Sequence, residues 1–218
     1  MKHKIIAIGL IFLSGLLNGQ IKTDSFSLHY LDNIKEGKQV DLFFLCKEPS
    51  LNTYSAKDYL NIEWKEIQII NGQNKYYSVP GRFRISDHNF EFQLNNKTCE
   101  LYPHFTKAVY QDEKVYVPFL TNFGEIEDYQ FFQLLSFGGV NLLKVIRKNG
   151  NNSSSNLYFQ SGNDEKAYPL KKKRKAVTAL FQDRAKQIGQ FVKEQDLSYS
   201  NTSDLIRIFD FYNKNKGS

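Results

Sequence analysis

Apolar and polar positions along this chain change their period more than once, and each change marks a different kind of element. From Asn61 onward the apolar residues fall in short runs separated by turn residues. Ile62 to Ile70 leads to Asn71-Gly72, a dipeptide suited to a hairpin, and Tyr76 to Val79 returns toward a turn at Pro80-Gly81. Phe83 and Ile85 then face one way, with Arg82 and Arg84 facing the other. After Ser86-Asp87-His88-Asn89, the side chains of Phe90, Phe92 and Leu94 point to a core while Glu91 and Gln93 stay in water. Thr98 to Tyr102 and Val115 to Val117, ending before Pro118, continue an antiparallel meander. Earlier residues are less legible and predict one strand, Gln39 to Cys46.

Phe131 to Ile146 breaks the alternation, because apolar residues occupy both parities. That pattern predicts a central hairpin covered on both faces, turning at Ser136-Phe137-Gly138-Gly139. A single buried helix is the alternative, with two mid-helix glycines costing about 1 kcal/mol each. Asn149 to Ser155 reads as a loop, and Asn156 to Gln160 with Glu165 to Pro169 as a last hairpin. Beyond it the period becomes helical. Val177, Leu180 and Phe181 form one apolar face, Phe181, Ala185, Ile188 and Val192 a second, and Leu205, Ile208, Phe209 and Tyr212 a third, entered through the capping residues Asn201 to Asp204. The expected class is α+β: an antiparallel meander, as a curved sheet or partial sandwich over residues 21–170, followed by about three short helices over 171–216 packed on it.

Composition adds a location. Lys2, His3 and Lys4 precede the apolar run Ile5 to Leu17, so Met1 to Gln20 reads as a secretory signal, with an uncleaved anchor as the alternative. No second long apolar run follows, so no transmembrane segment is expected after removal of the signal. Loss of Lys2 and Lys4 takes the formal charge from +6 to +4, a modest excess that implies no general affinity for nucleic acid. The 18 Phe and 13 Tyr fit a strand-rich fold. Periplasm or the extracellular space is the expected location. In an oxidising compartment Cys46 and Cys99 are candidates for a disulfide worth about 4 kcal/mol in the chain-entropy model, the alternative being two buried thiols.

Candidate chemistry is sparse. The chain has no G-x-S-x-G elbow, H-E-x-x-H, phosphate-binding glycine loop or C-x-x-C, and His29, His88 and His104 lack metal-ligand spacing. No catalytic residue, metal ligand or cofactor is assigned. Lys171, Lys172, Lys173, Arg174 and Lys175 form the one strong charge cluster, read either as the solvated start of a helix or as a contact for an anionic surface or acidic partner. Asn156 to Gly162 is similar to the cleavage sequence of a viral protease, but Ser155 departs from it, and Leu157 and Phe159 alternate as in a native strand.

A family resemblance rests on Tyr59-Leu60, Glu63-Trp64, Gly72, Arg82 to Ile85 and Phe90-Glu91. It continues through Phe131 to Leu135, Gly138, Val140 to Leu143, Tyr158-Phe159 and Leu170 to Lys173. Phe181 to Asp183, Ile188, Phe191-Val192, Asp204-Leu205 and Phe211 to Asn213 complete it. With these residues the chain resembles a widespread set of uncharacterised secreted proteins of Gram-negative bacteria, β-rich with carboxy-terminal helices and without an assigned activity. The resemblance implies export and carries no catalytic role to any residue. The functional expectation is a non-catalytic binding protein of the cell envelope, its partner an envelope protein or a glycan. Alternatives are a hydrolase assembled from Asp87, His88, His104, Glu125 and Asp128, and a peripheral binder of anionic membrane through the basic cluster.

Overall fold

A computed structural model describes residues 35–49, 54–123, 126–149 and 152–215. Met1 to Gln20, His29 and Glu125 lie outside the described residues. Strands β1 (Lys35–Glu36) and β2 (Cys46–Lys47) are short; β3 (Lys65–Asn71), β4 (Lys75–Arg84), β5 (Asn89–Leu94) and β6 (Lys97–Leu101) form a first meander. A second comprises β7 (Thr106–Gln111), β8 (Lys114–Phe123), β9 (Ile126–Ser136), β10 (Val140–Asn149), β11 (Asn152–Ser161) and β12 (Tyr168–Pro169). Helices α1 (Arg174–Ala179), α2 (Ala185–Glu194) and α3 (Thr202–Asn215) follow. Among the described residues all strands belong to one sheet in the order β12-β11-β10-β9-β8-β7-β3-β4-β5-β6-β2, with β1 parallel to β4 outside that path. The antiparallel β3–β7 pair joins the meanders, so the fold is α+β with a long open sheet.

The sheet rolls without closing. Between β5 and β9 lie five strand-to-strand steps, which would separate them by about 24 Å in a flat sheet. Instead the Phe90 and Phe131 rings meet at 5.2 Å and Phe83 reaches Tyr116 at 5.1 Å. These rings, with Ile67, Ile69, Phe92 and Leu101, make the first core. The roll is pinned by one backbone bond, in which Phe131 N–H donates to His88 O at 2.9 Å. Strand β10 pairs with β9 only from Gln133 to Ser136, across a register shift at Leu142/Leu143. Past Gln133 the β4–β5 turn thus supplies Phe131 with its acceptor.

Both parities of the central hairpin are buried, as its composition predicts: Phe131, Phe132, Val140, Leu142, Leu143 and Val145 have almost no solvent contact. Val140 and Leu142 join Val177, Phe181, Ile188, Leu205 and Phe209 in a second core under the helices, while Phe132 meets Tyr158 at 5.2 Å. Helix α3 is fastened to the hairpin by polar groups as well. Ser136 Oγ donates to Asp210 Oδ1 at 2.6 Å, and Asn213 both accepts from Val140 N–H at 3.2 Å and donates to Val140 O at 3.0 Å. Asn201 Oδ1 accepts the Ser203 and Asp204 amides, capping α3 where the sequence places a cap.

Four local expectations need correction. Gln39–Leu45 is a 3-10 helix and not a strand. Its three-residue repeat turns Leu42 and Leu45 inward and leaves Phe43 and Phe44 exposed, a spacing that the unbroken run Leu-Phe-Phe-Leu does not separate from a strand. Pro80-Gly81 is no turn but the corner at which β4 passes from pairing with β3 to pairing with β5. A Cβ on Gly81 would lie 2.6 Å from Ile67 Cγ1, so the residue permits close strand approach. Strand β8 continues through Pro118, which lies opposite Phe131. Residues 152–155 belong to β11, shrinking the expected loop to the hairpin end.

Candidate functional site

The strongest concentration of charge is not a site with spare capacity. Strict alternation puts Arg82, Arg84 and Glu91 on the face opposite the aromatic core, where water would be expected, yet Arg84 has 0% exposure and Glu91 3%. The segment from Tyr54 to Trp64 covers them. Arg84 donates to Asp87 at 2.7 and 2.6 Å, to Glu91 at 2.6 Å and to Glu100 at 3.0 Å, and its guanidinium stacks 3.7 Å from the Tyr54 ring. Arg82 donates to Glu91 at 2.9 Å and lies between the rings of Tyr59 and Trp64. Burial alone would lower the Arg84 guanidinium, but the bonds and charge of Asp87 and the charge of Glu100 raise it overall. Burial and the neighbouring Glu91 raise the Tyr59 hydroxyl. With four of the five Arg84 N–H donors bonded to carboxylates, this network fastens a covering segment to the sheet.

The residues considered for hydrolysis are dispersed. Asp87 is bound to Arg84. His88 is buried at a positive φ of 54° in the β4–β5 turn. Burial first, then the charge of Arg147, push its imidazole down to about 4 against the opposing pull of Asp87. Asp128 is exposed and accepts the Tyr129 backbone amide at 2.7 Å. Among the described residues no group of three or more His, Cys, Asp or Glu is placed to hold a metal ion. Cys46 and Cys99 are joined as a disulfide with Cα atoms 5.1 Å apart, linking β2 to the β5–β6 hairpin. Lys171 to Lys175 are all exposed; only Arg174 and Lys175 are helical, the three preceding lysines being non-helical chain ahead of α1.

His104 lies elsewhere, on the wall of a cleft of about 390 Å³ that sequence reasoning did not assemble. Pro103 and His104 come from the 3-10 turn between β6 and β7, Pro118 and Phe119 from β8, Tyr129 from β9, Asn141 from β10, and Gln160 with Gly162 to Glu165 from the end of β11 and the loop beyond. The floor is rigid. Asn141 Oδ1 accepts from Gly138 N–H at 3.0 Å, its Nδ2 donates to Gln160 Oε1 at 2.6 Å, and Gln160 Nε2 donates to the carbonyls of Gly162 and Asp164. Both amides are buried, so their orientations are set by these bonds. On the wall the His104 and Tyr129 rings meet edge to face at 5.2 Å, and Tyr129 O–H donates to Glu165 Oε2 at 3.1 Å. Partial burial, and then this bond, raise the Tyr129 phenol.

The 162–165 loop is held from behind. Leu120 N–H donates to Glu165 O at 2.9 Å, Ala167 N–H donates to Leu120 O at 2.8 Å, Tyr168 O–H donates to Asp164 Oδ2 at 3.0 Å, and Lys166 is ion-paired to Glu127. Among the described residues no hydrogen bond joins His104 to Asp164 or Glu165, and the hydroxyl–carboxylate contact on the cleft wall is that of Tyr129 with Glu165. Each contributing residue is ordinary in its own stretch of sequence. A weak signal does exist in Asn141 and Gln160, polar residues in otherwise apolar strand runs. Comparison with protein families, curated proteins and solved structures gave no match to this chain.

Proposed function

We propose that the chain is an exported, non-catalytic binding protein of the bacterial cell envelope and that the His104–Tyr129–Gln160 cleft is its recognition site. The observation that carries this reading is the cleft's construction: amides oriented by buried hydrogen bonds beneath an aromatic and proline wall. Export is supported by the apolar stretch Ile5 to Leu17 and by the Cys46–Cys99 disulfide, a bond that persists in oxidising compartments. Fractionated envelope extract added to isotopically labelled protein should shift amide resonances clustered at Tyr129, Asn141 and Gln160. Shifts confined to other surfaces, or none with any fraction, would contradict the assignment.

A second reading has its own observation. Lys171 to Lys175 are exposed and none of them is in an ion pair among the described residues, an arrangement suited to the phosphates of an anionic bilayer. Co-sedimentation with phosphatidylglycerol vesicles should then be lost when all five are changed to Glu and should weaken with added salt. Unchanged sedimentation of that variant rejects membrane docking through this cluster.

A further inference from the structure

The unspent hydrogen-bonding capacity of the cleft identifies the kind of ligand it fits. One Asn141 Nδ2 hydrogen is left after its bond to Gln160, and Glu165 Oε1 is left after Oε2 accepts from Tyr129, both counted among the described residues. Exposed His104 adds two ring nitrogens that make no hydrogen bond among those residues; in the neutral ring one donates and the other accepts. Donors and acceptors therefore stand side by side beneath a ring wall.

A hydroxyl group both donates and accepts, so it can use every one of these atoms. An ammonium only donates and would leave the Asn141 hydrogen facing it unfavourably. A phosphate or sulfate would meet Asp164 and Glu165 with no Lys or Arg lining the cleft to offset them, although the chain as a whole is basic. The apolar faces of Tyr129, Phe119 and Pro118 suit the C–H faces of a pyranose ring, which carries hydroxyls around its edge and little charge. We infer that the cleft binds an uncharged oligosaccharide, with Tyr129 as the stacking platform and Glu165, Asn141 and His104 engaging ring hydroxyls. This rests on the cleft being the recognition site and adds the ligand class to that reading.

The test titrates labelled full-length protein with cellohexaose, maltohexaose and chitohexaose as neutral probes, a heparin hexasaccharide as the anion and pentalysine as the cation. At least one neutral probe should shift Tyr129, Asn141 and Gln160 together. Tyr129→Ala should weaken that binding by at least about tenfold, while Tyr129→Phe, which keeps the ring, should cost less than about threefold. A matching thermal melt for the two variants separates lost contact from lost fold. If the heparin fragment or pentalysine fills the cleft and no neutral probe does, the saccharide assignment is overturned and the cleft remains a recognition site. If no probe of any charge shifts these residues, the saccharide assignment falls, and the extract titration then decides whether the cleft itself falls with it.

Discussion

Arg84 lies without solvent contact among Asp87, Glu91 and Glu100, so truncating it would leave carboxylates facing one another in a buried place. Removing one partner of such a network costs about 3–5 kcal/mol because the charges left behind cannot recover their hydration. Arg84→Ala should therefore lower the urea midpoint by that amount, and a loss below about 1 kcal/mol would mean that water reaches the carboxylates. His88 predicts a pH dependence whose sign follows from its environment. Burial, with Arg147 adding to it, holds the folded imidazole near 4 while the unfolded one titrates near 6.5. Between those values the unfolded chain binds the extra proton. Stability from the neutral ring is therefore complete above about pH 6.5 and declines as pH falls toward 4, by up to about 3 kcal/mol. His88→Asn, which tolerates the positive φ, should flatten that part of the urea-midpoint profile. A slope equal to the parent's would assign the acid sensitivity to another group.

At the scale of elements, the hairpin between β9 and β10 depends on its turn and on α3 together. Gly138 has φ of 152°, and a Cβ there would lie 2.5 to 2.7 Å from the Asn213 side chain, which is bonded to Val140 on both its N–H and its carbonyl. Ala at this position is strained in the backbone and pushes the helix away, so Gly138→Ala should destabilise by about 2 kcal/mol. Hydrogen exchange should locate the damage: faster exchange confined to α3 and the turn supports the coupling, whereas uniform change across β3–β6 does not. The strand expected from Gln39 to Cys46 is replaced over Gln39–Leu45 by a 3-10 helix for an element-level reason. Four consecutive apolar residues satisfy both a two-residue and a three-residue period, and only the seat of Leu42 and Leu45 in the first core selects the latter.

Taken as a whole molecule, the rolled sheet is fastened at its β6 end by the disulfide and at its β10 side by helices. The Cys46–Cys99 bond ties β2 and its preceding 3-10 helix across a loop of 53 residues. Replacing both cysteines with Ala should lower stability by about 4 kcal/mol if the chain-entropy account holds, measured as the urea midpoint of the double variant against the oxidised parent. A difference under about 1 kcal/mol would place the constraint in the noncovalent packing of Leu42 and Leu45.

Period and turn chemistry alone indicated most of the antiparallel strands after Asn61, though not all of their ends, and with them the doubly covered hairpin at Phe131 to Ile146 and the three helical faces, because each depends on neighbours within a few positions and on which side of an element is oily. The roll of the sheet was decided elsewhere, by rings on β4 and β5 meeting rings on β8 and β9 across three to five strand steps. So was the burial of Arg84 and Glu91, since alternation states only which face a side chain occupies and a separate segment, Tyr54 to Trp64, determines whether that face is wet. The cleft belongs with these. Its amides, rings and carboxylates are scattered from Pro103 to Glu165, and hydrogen bonds between distant strands, not any local spacing, bring them within reach of one ligand.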